Sequence, residues 1–238
     1  MRKLKDLLPS VALAALALCL AAPAAMASGG EHGATKSWLD LFQTTGPVGY
    51  LLVAVSIAGT ALTIQYFVQL TRDKLSPPDL ADELEALMES GDYDEAISLC
   101  DSNGGYLATI VADGLRLRHA GYEHLIGALE QAAAEETFKV QAQISYLSLL
   151  GNVAPLLGLL GTVTGMISSF QVIENMTAPT PGDLAKGVYE SLVNTTLGLF
   201  VAIVFLTLYF FFKNKVTKMT LSINLQAVDM LKHLATKH

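Results

Sequence analysis

Residues 151–170 read GNVAPLLGLLGTVTGMISSF, a run long enough to cross a bilayer in which glycine, proline and threonine recur at helical spacing among leucines. A helix that only sits in lipid can be leucine and isoleucine all round. Glycines every three or four residues instead let a second helix's backbone approach closely, and hydroxyls at that depth need polar company. On a helix, Pro155, Gly158, Thr162, Gly165 and Ser169 share one stripe with Gly161 beside it, and the opposite faces are Leu, Val, Ile and Met. Further along, Gly187, Ser191, Thr195, Gly198 and Ala202 line up in the same way, with Asn194 on one edge and Glu190 further round.

The surrounding chain is that of a membrane protein. Its 238 residues are 52% hydrophobic and 16% charged, with a mean hydropathy of +0.43, which does not suit a soluble domain. Leu41 to Thr71, Val140 to Ile173 and Ser191 to Phe212 are free of charge, and each reaches the roughly 20 residues that cross the hydrocarbon core. These runs predict three transmembrane helices over 47–70, 146–173 and 184–212 in an all-α polytopic fold. The net charge of −7 lies mostly in the connecting segments, which excludes nucleic acid as a partner and gives no polybasic tract for lipid headgroups.

Residues 1–27, MRKLKDLLPSVALAALALCLAAPAAMA, have the anatomy of a signal peptide. A basic start (Arg2, Lys3, Lys5) precedes a short apolar run, and Ala25-Met26-Ala27 forms a small-x-small cleavage pattern. Arg72 and Lys74 follow the first span, Arg116, Arg118 and Lys139 precede the second, and Lys213, Lys215 and Lys218 follow the third. Under the positive-inside rule those ends face the cytoplasm, which places the N-terminal segment 28–46 and the turn 174–183 outside. Residues 71–145 then form a cytoplasmic domain, continuous with the second span, and 213–238 a cytoplasmic C-terminal helix. Leu80, Leu84, Leu87 and Met88 recur at helical spacing there, Gly91-Asp92 interrupts, and 128–139 is rich in Ala, Glu and Gln.

The polar residues admit more than one reading. The acidic clusters Asp82-Glu83-Glu85 and Asp92-Asp94-Glu95 lack EF-hand spacing and read as solvated helix faces. His119 and His124 sit in a loop-like stretch without a third ligand, so no metal site is expected. Neither a Ser/His/Asp set nor a phosphate loop accompanies any span, so the chain reads as no enzyme, and no cofactor is expected. The two membrane stripes fit helix packing through Pro155, Gly158, Gly161, Gly165, Gly198 and Ala202. They fit equally an ion path through Thr162, Thr195, Glu190, Asn194 and Ser191. Glu190 either lines that path, as ionisable groups at membrane depth commonly do, or pairs with Lys186 one turn earlier.

Two motifs resolve the choice by resemblance. The run VAPLLGLLGTVTGM (Val153 to Met166) resembles the signature of the MotA/TolQ/ExbB proton-channel family, and ESLVNTTLGLFVAI (Glu190 to Ile203) resembles its second motif, of the form EALxxTxxGLxVAI. The similarity extends over about residues 45 to 215, and the signal-like N-terminus is most similar to the ExbB-like branch. The resemblance implies a homopentameric pore built from the second and third spans. It also implies a dimeric single-span partner like ExbD or TolR, whose aspartate carries the proton, and a TonB-like protein that delivers the work across the periplasm. It assigns Thr162 and Thr195 to the pore threonines and Glu190 to a pore-lining glutamate. Two departures stand out: Val204 occupies a position where the family often has proline, and Asn194 is more polar than the usual alanine or threonine. A TolQ-like subunit and a non-conducting scaffold are the alternatives, and sodium is the alternative ion.

Overall fold

The computed structural model describes residues 46–175 and 180–235. The expected signal peptide and the segment up to residue 45 lie outside the described residues, as do 176–179. All regular structure among the described residues is helical. In chain order the helices are α1 (Gly46–Gln69), α2 (Arg72–Leu75), α3 (Pro78–Ser90), α4 (Tyr93–Asn103), α5 (Tyr106–Arg116), a 3-10 turn (Arg118–Ala120), α6 (Tyr122–Asn175) and α7 (Pro181–Ala235).

Three helices contain segments long and apolar enough to cross a membrane: Pro47–Gln69, Tyr122–Asn175 and Gly187–Lys232. The chain is a multi-pass membrane protein. α6 and α7, of 54 and 55 residues, each contain an apolar section and a polar section without a break in the helix. α7 continues through Val204 without a break, where a proline would have removed a backbone donor. The expected turn at 174–183 is shorter than its sequence implies, because α6 extends to Asn175 and Pro181 opens α7. Proline suits that first position, since its missing N–H would have had no intrahelical partner there.

The residues divide into two compact units, one within Met1–Thr63 and Leu147–Tyr209 and one within Ile64–Tyr146 and Phe210–His238. The second unit has its own core. α3 turns Leu80, Leu84 and Met88 inward at a spacing of four, and Gly91, at φ 91°, closes that helix in the left-handed conformation glycine tolerates best. α5 is the centre, with Leu107, Ile110, Val111 and Leu115 fully enclosed by Leu125 and Leu129 of α6 and by Ile223 and Leu231 of α7. A Cβ on Gly114 would stand 3.2 Å from Leu231 Cδ1 and 3.4 Å from Leu129 Cβ, so α5 crosses both long helices at close range. His124, placed by sequence in a loop, falls in the first turns of α6, because Leu125 and Leu129 continue a buried stripe that only a helix presents.

One polar knot ties this core. The Tyr106 hydroxyl lies 2.7 Å from Asn224 Oδ1 on α7, 2.8 Å from Thr137 Oγ1 and 3.2 Å from the Ala133 carbonyl on α6. Burial pushes the phenol pKa up, so it stays a neutral donor at physiological pH. Tyr106→Phe leaves Asn224 and Thr137 without that partner and is expected to destabilise the full-length protein by about 2 kcal/mol. A lower midpoint of thermal unfolding, followed by circular dichroism in detergent, is the corresponding observation; an unchanged midpoint would mean water replaces the phenol.

Cys100 lies in the same core, on α4. Burial, with a smaller contribution from the Asp101 charge, raises its pKa from 9.0 to about 11. The thiol is therefore protonated near neutrality, and alkylation by iodoacetamide should be negligible at pH 8 in the folded protein and rapid after denaturation. Because the folded pKa lies above the unfolded one, the associated stability is fully present below pH 9.0 and is lost as pH rises towards about 11.

Candidate functional site

Within the first unit the small-residue faces of α6 and α7 meet each other. A Cβ on Gly158 would stand 3.0 Å from the Asn194 carbonyl oxygen and 3.1 Å from Thr195 Cα. One on Gly198 would stand 2.7 Å from the Ala154 carbonyl oxygen and 3.0 Å from Gly158 Cα. Gly161 lies against Asn194, Gly165 against the Ser191 hydroxyl, and Gly187 against that of Ser169. The glycines therefore bring the two backbones into direct contact, which larger residues would forbid. Ala202 is buried on α7 and Pro155 half-buried on α6. α1 joins through Gly59, which packs on the ring of Phe205.

The hydroxyls along this seam are satisfied by backbone. Ser191 donates to the Gly187 carbonyl at 2.7 Å and Ser169 to that of Gly165 at 2.8 Å, each within its own helix. Thr162 donates to the Leu159 carbonyl at 2.7 Å. Thr195 is different: its hydroxyl crosses from α7 to the Gly158 carbonyl of α6 at 3.1 Å, one turn from Thr162. Gly158 makes that bond possible, because a side chain there would push Thr195 away. Ser191 and Asn194, which the sequence groups with the threonines, are buried inside the seam at 2% and 5% exposure. Thr162 and Thr195 keep part of their surface open. Glu190 belongs to α7, five residues before Thr195, and its side chain and that of Lys186 lie outside what is described.

No charged residue occurs between Lys139 and Glu174 or between Glu190 and Lys213. The described seam thus offers hydroxyls, amides and main-chain oxygens but no ionisable group of its own. Among the described residues, no three His, Cys, Asp or Glu side chains converge as metal ligands. The acidic segments of the other unit are partly paired, Asp94 with Arg118 and Asp101 with Arg116, both at 2.7 Å.

The two motifs that build the seam also decide the ancestry of the chain. The sequence profile of the MotA/TolQ/ExbB proton channel family matches residues 104–224, half of the chain and both faces of the seam. The chain belongs to this family. Among its relatives in the family, a putative biopolymer transport protein ExbB homolog from Methanothermobacter thermautotrophicus is 29% identical over 181 residues, 75% of this chain and 63% of that protein. The Tol-Pal system protein TolQ of Pseudomonas aeruginosa is 35% identical over 81 residues, 34% of this chain and 35% of that protein. The biopolymer transport protein ExbB of Pseudomonas putida is 29% identical over 139 residues, 55% of this chain and 42% of that protein. The match thus spans less than two thirds of each relative's length. Within the family the chain is most like ExbB.

The periodicity of the sequence singles out both threonines and Gly158, Gly161, Gly165, Gly187 and Gly198, but not Gly151, where a Cβ would stand 2.8 Å from Leu206 Cγ on α7. It misses the bond from Thr195 to Gly158, because a hydroxyl's partner on another helix leaves no trace in spacing. It also misses Gly59 against Phe205, a contact between distant segments with no shared motif.

Proposed function

We propose that this chain is the ExbB-like channel subunit of a motor in the bacterial inner membrane that uses the proton motive force to energise TonB-dependent outer-membrane transport. Five copies surround a dimeric single-span partner resembling ExbD or TolR, with the N-terminus periplasmic and the polar sections of α6 and α7 in the cytoplasm. The observation that carries this reading is that Thr162 and Thr195 keep open surface beside a seam whose facing stretches 154–169 and 191–202 carry no charge. Along those stretches a carboxylate has to come from a partner.

The threonine geometry suits a proton switch. Both hydroxyl protons are engaged by main-chain carbonyls, so each threonine presents lone pairs, ready to accept from a protonated, neutral carboxyl. When that carboxyl ionises, a hydroxyl rotates off its carbonyl and donates to the carboxylate instead. A low-dielectric pore raises the partner's pKa, so its carboxyl can load on one side and discharge on the other. Each proton moved supplies about 2.3 kcal/mol per 100 mV. Alternate loading of the partner's two aspartates biases which copies they contact and drives rotation or rocking.

The match to TolQ supports a second reading, a subunit of an envelope-maintenance complex, which differs in partner and not in channel chemistry. Co-purification tests the assembly: a complex of five copies with two of an ExbD- or TolR-like protein is expected, and the partner captured distinguishes the pathways. A monomer that captures no single-span protein would refute the motor.

A further inference from the structure

Thr162 is one of six residues on a face of α6, two of which, Ser148 and Asn152, lie outside the family motif that begins at Val153. Ser148, Asn152, Pro155, Leu159, Thr162 and Met166 fall within about 80° of arc, and all six keep part of their surface open. Beside them runs a second exposed strip, Leu149, Leu156, Leu160, Val163 and Ile167, which is apolar throughout. That strip suits lipid. The first suits it less: its Thr162 hydroxyl is satisfied by the Leu159 carbonyl within the helix, but it also carries the primary amide of Asn152, which a helix backbone satisfies only in part.

Asn152 is the polar group least suited to lipid. It is exposed, and its Nδ2 donates to the Ser148 carbonyl at 2.8 Å and reaches Ser148 Oγ at 3.3 Å. Its amide oxygen enters neither bond. Ten residues separate it from Thr162, about 15 Å along the helix. An asparagine has too short a stem to snorkel out of the apolar layer, so it needs water or a protein surface.

We infer that Asn152, with Ser148, lines the cytoplasmic half of the path that passes Thr162 and holds the water through which protons leave. This rests on the channel reading above. The amide offers a donor and an acceptor without a fixed charge, so it orders water and neither traps nor repels a proton. Asn152 is a positioning residue, acting on water and not on the partner's carboxylate.

Two measurements on the complex with its co-expressed single-span partner test this. In liposomes under an imposed potential, Asn152→Leu should lower proton flux by about tenfold, the loss of roughly one well-placed hydrogen bond, while Asn152→Ser retains most of it. In a Cys19→Ala, Cys100→Ala background, Asn152→Cys should react with a charged, membrane-impermeant methanethiosulfonate and Leu156→Cys should not. Wild-type flux in Asn152→Leu, or equal inertness at 152 and 156, would overturn the inference. If wild type conducts no protons, the channel reading fails on its own, and the labelling alone decides whether position 152 faces water.

Discussion

Gly198→Val is expected to destabilise the membrane-spanning part of the protein by about 3 kcal/mol. The first added atom would lie 2.7 Å from the Ala154 carbonyl oxygen and 3.0 Å from Gly158 Cα. Both are backbone atoms, so no side chain can rotate away, and α6 and α7 must separate. Separation also removes the bond from Thr195 to Gly158 and opens the contacts of Gly161 and Gly165. Gly127 is the matched control, because nothing lies within 4 Å of a Cβ there. Gly127→Ala should raise stability by about 1 kcal/mol through helix propensity alone. Thermal unfolding of the two variants in the same detergent reads the contrast. Equal midpoints would mean that the helices are not in backbone contact.

Thr195→Val is expected to have the largest effect on transport with the smallest effect on shape. Valine fills the same volume and suits a membrane helix, yet it cannot donate to the Gly158 carbonyl or accept from a carboxyl. The stability cost should be about 1 kcal/mol, one hydrogen bond between neutral groups. The partner-dependent proton flux should fall by at least about tenfold. Thr195→Ser keeps the hydroxyl and should conduct within a few-fold of wild type. Thr162→Val should behave similarly but with no change in helix packing, since its hydroxyl bonds only within α6.

The fold is legible in the sequence where the physics is local. Three charge-free runs mark the three apolar helices, and Gly91 marks the break between α3 and α4 because few other residues accept its backbone angles. Periodicity also finds the small-residue faces, but a face does not say what it meets. Gly158, Gly165, Ser191 and Asn194 meet the neighbouring helix of the same chain, whereas Thr162 on the edge of the same stripe stays open. Spacing alone could not separate those fates, since packing and an ion path select the same small, hydroxylated residues. α5 went unread for a different reason. Its sequence YLATIVADGLR does carry a polar stripe, Thr109, Asp113 and Arg116, opposite an enclosed face, but at 11 residues between two glycine-bounded breaks it is too short to stand out beside the long apolar runs. Asn152 escaped notice because an asparagine near a span end looks like a boundary until the apolar strip beside it shows the contrast.

On the proposed reading, the open hydroxyls of Thr162 and Thr195 hydrogen-bond the proton-carrying carboxyl that a partner supplies, in both its protonated and its ionised form. The most direct measurement is proton flux into liposomes holding the purified complex, under an imposed potential, for wild type, Thr195→Val and Thr195→Ser at matched stoichiometry. Flux is expected in wild type and in the serine variant, with a loss of about tenfold or more in the valine variant and none when the partner is left out. Equal flux in all three complexes, or flux that persists without the partner, would contradict that reading.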